Sequence, residues 1–195
     1  MLSNYGFCLE ENERETVKLR LQLGASHWLQ SFAPKLTRSE SSPGFEIGLQ
    51  SMTTEAKQLF SLLRLMQFAD SEFAKLHPGV RGADVCNIPI LDLKNEIGAL
   101  QRLVQECERR LSHYPGTAED DRERLSDPSL TSNQRMALIY RLSQRRMTDT
   151  VRKNATLALD ALSSQGGDRA AALKEAASRS DGWIPYFQVL SAVLG

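Results

Sequence analysis

The stretch LTSNQRMALIYRLSQRRMTDTVRKNATLALDAL, residues 130–162, decides the fold. It contains no Gly and no Pro, the two residues that most strongly interrupt a helix. Thr131 or Ser132 can cap its start, and Gln134 stands three residues after Thr131, the spacing of a capping box. Pro128 suits the approach to a helix but no helix interior. Ile139, Leu142, Met147, Val151, Ala155, Ala158 and Leu162 recur at three to five residues, a helical stripe. Arg141, Arg145, Arg152 and Lys153 fall mostly off it, and Gly166-Gly167 supplies the break. Unbroken, this helix would run roughly 50 Å. A helix of that length in a small domain needs other helices packed against it.

Those helices are legible on both sides. From Thr53, Ala56, Leu59, Phe60, Leu63, Met66 and Phe68 follow at helical spacing until His77-Pro78-Gly79. Residues 78–90 read as a linker. Asp92 is placed to cap a helix carrying Ile97, Leu100, Leu103, Val104, Cys107 and Leu111, stopped by Pro115-Gly116. Thr117 opens a short acidic helix, with Asp120 at capping distance. Downstream, Asp168 caps an Ala-rich helix to about Ser178, and Gly182-Trp183-Ile184-Pro185-Tyr186-Phe187 is an apolar tail that docks on the body.

The N-terminal part differs. Val17-Lys18-Leu19-Arg20-Leu21-Gln22-Leu23 alternates strictly, the mark of a half-buried strand. A strand needs a partner, and Phe45 to Leu49 is the short candidate, beyond a Ser/Pro-rich loop at 33–44. The expected fold is mainly α: a multi-helix bundle with one long central helix and a small β-element at its N-terminal edge. No internal repeat is present.

With 195 residues the chain is long enough for one sizeable domain. Lys plus Arg and Asp plus Glu both number 24, which gives no electrostatic case for nucleic acid or an anionic membrane as the main partner. Cys8, Cys86 and Cys107 are odd in number and far apart, as expected of reduced thiols in an intracellular protein. The residues do not separate cytoplasm, nucleus and chloroplast. No apolar run approaches a membrane span, and no signal peptide is evident. His27, His77 and His113 lack ligand spacing, so no metal site is expected. Glu119-Asp120-Asp121-Glu123 lacks the geometry of a calcium loop and reads as negative charge on a first helical turn. Arg109-Arg110 and Arg145-Arg146 read as solvated pairs. No nucleotide-binding loop, HExxH or GxSxG motif occurs, so no catalytic residue is assigned.

Two stretches carry a resemblance. Asn4-Tyr5-Gly6-Phe7, the acidic turn Glu10 to Arg14 and the strand VKLRLQL resemble the passage where a SET domain hands over to its helical C-terminal lobe. Leu111 to Thr117, Glu119-Asp120-Asp121, Arg135-Met136-Ala137-Leu138, Arg141 and Arg145-Arg146 are similar to the middle of that lobe. The family is the Rubisco large-subunit lysine methyltransferase type, and the likeness covers about residues 2–155. It implies residues 1–16 as the residual edge of a SET domain, 17–163 as the helical substrate-binding lobe, and 164–195 as a linker, short helix and apolar tail of no matching pattern.

By the same resemblance, Tyr5 matches an aromatic lining the substrate-lysine channel, and Phe7 a position beside the cofactor. An aromatic wall suits a cationic side chain. The alternative is that both rings only plug the lobe interface. The parent enzyme would use S-adenosylmethionine, with the Asn-His motif and the catalytic Tyr upstream of Tyr5. The chain is expected to hold no cofactor and to be non-catalytic by itself. Its partners would be a substrate protein, methylated on Lys or His, and the upstream SET domain. Leu2, Tyr5, Phe7 and the Val17 strand would then leave apolar surface in water, and self-association or poor solubility is expected. Two other readings stand beside this one: a stand-alone helical protein-protein interaction scaffold, and an RNA-binding module using the arginines of the long helix.

Overall fold

A computed structural model describes residues 16–21, 44–48, 54–68, 87–164 and 168–195. Two strands, β1 (Thr16–Arg20) and β2 (Gly44–Gly48), pair antiparallel, with Val17 opposite Ile47 and Leu19 opposite Phe45. Val17, Leu19 and Leu21 are buried, as alternate positions on one face must be when that face meets a core. Six helices follow among the described residues: α1 (Thr54–Leu65), α2 (Leu93–Ser112), α3 (Ala118–Leu125), α4 (Ser132–Ser163), α5 (Arg169–Arg179) and α6 (Ile184–Leu194). The protein is therefore mainly α, with α4 as its long central element.

α4 begins where its sequence says it should. The Thr131 hydroxyl accepts from the Gln134 backbone N–H at 3.3 Å, and the Gln134 amide oxygen accepts from the Thr131 N–H at 2.9 Å. This reciprocal pairing occupies two donors that the first turn would otherwise leave bare. The helix runs 32 residues, and its stripe divides. Met147, Val151, Ala155, Ala158 and Leu162 enter the core, while Ile139 and Leu142 stay half-buried. The core half packs chiefly against α2. α2 starts at Asp92, whose carboxylate accepts from the Asn95 N–H at 2.8 Å. It buries Ala99, Leu100, Leu103 and Cys107, positions three and four apart that share one face.

The second half of α1 is enclosed on all sides, since every residue from Leu59 to Leu65 is buried. A helical segment without a wet face must satisfy its polar side chains internally. Arg64 does so through Glu96 of α2, donating from Nε to Oε2 at 2.7 Å and from Nη2 to Oε1 at 2.9 Å, and from Nη1 to the Ile88 carbonyl at 2.7 Å. The Tyr186 hydroxyl of α6 donates to the same Glu96 Oε1 at 2.5 Å. Burial opposes the Arg64 charge, but its bonds to Glu96 hold its pKa above the ordinary value. Burial, and then Glu96, push the Tyr186 phenol well above its ordinary range.

The stretch read as an apolar tail is a helix. Gly182 at φ 78° makes the turn, and Pro185 sits in the first turn of α6, where its missing N–H costs no helical bond. Trp183, Tyr186, Phe187 and Leu190 belong to the same core as Leu100 and Val151. The Phe60 ring stacks on Tyr186 at 4.7 Å and meets the edge of Trp183 at 5.7 Å. Asn154, buried on α4, holds the preceding turn: its Nδ2 donates to the Asp181 carbonyl at 2.7 Å and its Oδ1 accepts from the Asp181 N–H at 3.1 Å. Asp168 caps α5 by accepting from Ala170 N–H and Ala171 N–H at 3.0 and 3.2 Å.

Candidate functional site

The short helix α3 lies against the N-terminal half of α4, and the two enclose an open groove of about 720 Å³. Its floor is apolar, with Leu111, Leu125, Ile139 and Leu142 all half-buried. Arg122 stands on the α3 wall, and Arg145, Arg146, Asp149 and Lys153 on the α4 wall.

The α3 wall is set by local chemistry. Gly116 takes φ 67°, a left-handed turn that a side chain would strain. A Cβ there would also come within 2.9 Å of the Asp120 carboxylate. Thr117 then caps α3: its hydroxyl accepts from the Asp120 N–H at 3.0 Å, and the Asp120 carboxylate accepts from the Thr117 N–H at 2.6 Å. These bonds from Thr117 hold the Asp120 carboxyl below its usual range.

Asp121, one residue on, is 2% exposed and joins the walls. Arg141 donates to it from Nε at 2.8 Å and from Nη2 to its other oxygen. Arg145 approaches from the next turn, its Nε 3.7 Å from Asp121 Oδ2. The Arg145 Nη2 donates to the Pro115 and Gly116 carbonyls at 2.7 and 3.0 Å. Its guanidinium lies 5.0 Å from the centre of the Tyr114 ring, a cation–π contact. Arg135 ties the α3–α4 connection by donating to the Leu125 and Asp127 carbonyls at 2.6 and 3.2 Å.

The acidic cluster thus has divided duties. Asp120 caps, Asp121 clamps, and Glu119 pairs with Arg122 on the exposed side of α3. The expectation of a solvated Arg145-Arg146 pair is corrected for Arg145, whose side chain is only 12% exposed. Spacing carried the signal: Arg141 and Arg145 are four apart on one helix face, and a shared carboxylate on a neighbouring helix resolves their repulsion. Further along the α4 wall, Asp149 is bonded by Lys153 and Arg152 at 2.8 and 2.7 Å. Burial works against its charge, but these bonds outweigh it and hold its carboxyl below the usual range. No cluster of His, Cys, Asp and Glu able to hold a metal ion occurs among the described residues. Among the same residues, no helix is long and apolar enough to cross a membrane. Tyr5 and Phe7, the two residues singled out by resemblance, lie outside the described residues.

The described residues form a helical lobe with a clamped surface groove. The family model described as Rubisco LSMT substrate-binding matches residues 8–147, and the chain belongs to that family. A comparison with curated proteins returns no match. Among solved structures, the chain is similar to a crystal structure of the SET domain of LSMT bound to lysine and AdoHcy, with a TM-score of 0.61 and 19% identity over 82% of this chain and 36% of that one. It is also similar to a structure of Rubisco LSMT bound to AdoMet, with a TM-score of 0.59 and 17% identity over 88% of this chain and 44% of that one. A third, the SET domain of LSMT bound to methyl-lysine and AdoHcy, matches at a TM-score of 0.59 and 17% identity over 95% of this chain and 43% of that one. The chain therefore spans less than half the length of these proteins, and at such identities they share its fold.

Proposed function

We propose that the chain is the substrate-protein-binding lobe of a SET-type protein-lysine N-methyltransferase and is not catalytic by itself. The observation that carries this is the family match over residues 8–147, which includes the clamp of Asp121, Arg141 and Arg145. The lobe grips the substrate protein and presents one side chain to the SET channel, contributing to rate by orientation. S-adenosylmethionine belongs to the SET domain in this reading. The α3–α4 groove is open and lined by arginines, which suits a protein surface better than an enclosed nucleoside. On the same reading residues 1–16 form the edge of the SET domain, with Tyr5 in the lysine channel and Phe7 beside the cofactor.

The test begins with the transcript across the codon for Met1. A reading frame continuing upstream into a SET domain is expected. Methyl transfer to the substrate protein should then fall when the lobe is deleted, while methylation of a short lysine peptide survives. A start site at Met1 with no SET partner would instead leave a stand-alone scaffold. Robust methyl transfer by the purified chain alone would also overturn the proposal.

A further inference from the structure

The groove has a local charge that the whole chain lacks. Lys plus Arg balance Asp plus Glu at 24 each, yet four cations, Arg122, Arg145, Arg146 and Lys153, line the groove against one carboxylate, Asp149. The surplus persists over both helices: α3 and α4 as far as Lys153 carry eight Lys and Arg against five Asp and Glu, an excess of three positive charges. Four half-buried aliphatic residues line the same groove, the chemistry that receives aliphatic side chains and not phosphates.

We propose that the α3–α4 groove docks an acidic amphipathic segment of the substrate protein, its apolar side chains on Leu125, Ile139 and Leu142 and its carboxylates between Arg122 and Arg146. This deepens the substrate-binding reading and rests on it. The walls stand on two different helices, so the occupant's acidic residues must flank its apolar row on both sides. Electrostatic complementarity of this kind fixes register and speeds encounter. The clamp at Asp121 keeps the two walls at a set separation without occupying the groove floor.

The test uses the full chain and labelled synthetic peptides. The first has leucines at i, i+3, i+4 and i+7 with glutamates on the remaining positions. The others are its lysine counterpart and a scrambled acidic peptide, with a single-stranded oligonucleotide as a further probe. Fluorescence anisotropy should show binding of the first, weakening as salt rises. Arg122→Glu with Arg146→Glu should weaken it at least about tenfold, whereas Arg122→Lys with Arg146→Lys retains it. Lys174→Glu, exposed on α5, serves as the surface control and leaves binding unchanged. Thermal melts check that the reversed variant is folded; if it is not, Leu142→Asp is read in its place. Equal binding of the lysine or scrambled peptide, tighter binding of the oligonucleotide, or no effect of charge reversal would overturn the proposal. If no acidic peptide binds while lobe deletion still abolishes methylation of the substrate protein, the groove assignment fails and the substrate-binding reading stands. If lobe deletion has no effect, the reading itself fails.

Discussion

Replacing Glu96 by Gln tests how the lobe is held together. The Arg64 and Glu96 side chains are 8% and 0% exposed, so water screens neither. Glu96 accepts two bonds from Arg64 and one from Tyr186. In Glu96→Gln the Arg64 cation stays buried while its countercharge is gone, and one amide NH2 now faces guanidinium donors. Breaking a buried pair from one side costs about 3–5 kcal/mol. That is a large share of the roughly 5–15 kcal/mol that a domain possesses. Replacing the whole set, Arg64→Met with Glu96→Leu and Tyr186→Phe, removes the charges together and is neutral or stabilising by about 1–4 kcal/mol in comparable cases. Here the Ile88 carbonyl also loses its donor, a cost of about 1–3 kcal/mol. The triple variant should therefore lie within about 3 kcal/mol of the parent. The assay is urea unfolding in a Trp28→Phe background, where Trp183 is the only remaining tryptophan of two. Its ring meets Phe60 and Tyr186 edge-on, so its emission follows the docking of α6. A Glu96→Gln variant within about 1 kcal/mol of the parent would refute the reasoning, as would a triple variant no more stable than the single one.

Asp121→Asn should cost about 2–3 kcal/mol, less than a fully buried pair because Arg141 is 24% exposed. A double-mutant cycle with Arg141→Gln should show coupling of about 1–2 kcal/mol, and additive effects would argue against the clamp. Burial pushes the Cys107 thiol from its ordinary 9.0 up to about 12. Its folded pKa is the higher, so the contribution is fully present below about pH 9 and is lost as pH rises to about 12, about 4 kcal/mol in all. Cys107→Ala should accordingly flatten the alkaline loss of stability in urea titrations run at successive pH values. An unchanged slope would contradict this. The raised Tyr186 phenol acts with the same sign at higher pH, and Tyr186→Phe removes that part.

What the residues alone determined is local. The start of α4 at Thr131 and Gln134 and the caps at Asp92, Thr117 and Asp168 each follow from side chains reaching backbone groups three or fewer positions away, and the turn at Gly116 from the lack of one. The apolar spacing of α1, α2 and α4 showed which faces would be buried, because a helix repeats every 3.6 residues whatever surrounds it. Two stretches taken together, Asn4 to Phe7 with the strand that follows, and Leu111 to Thr117 with the acidic triplet and the arginines of α4, carried the resemblance to the family. Tertiary structure alone decided the rest. It made α6 a core helix where only an apolar tail was legible, with Pro185 in the first turn. It sent Met147 to Leu162 into the core and left Ile139 and Leu142 as a groove floor, although one stripe carries them all. It brought Arg64, Glu96 and Tyr186 together from three helices, and Asp121 to Arg141 across twenty positions. Long-range pairs of this kind leave no period in a sequence, because the distance between their members is set by packing and not by the pitch of any one helix.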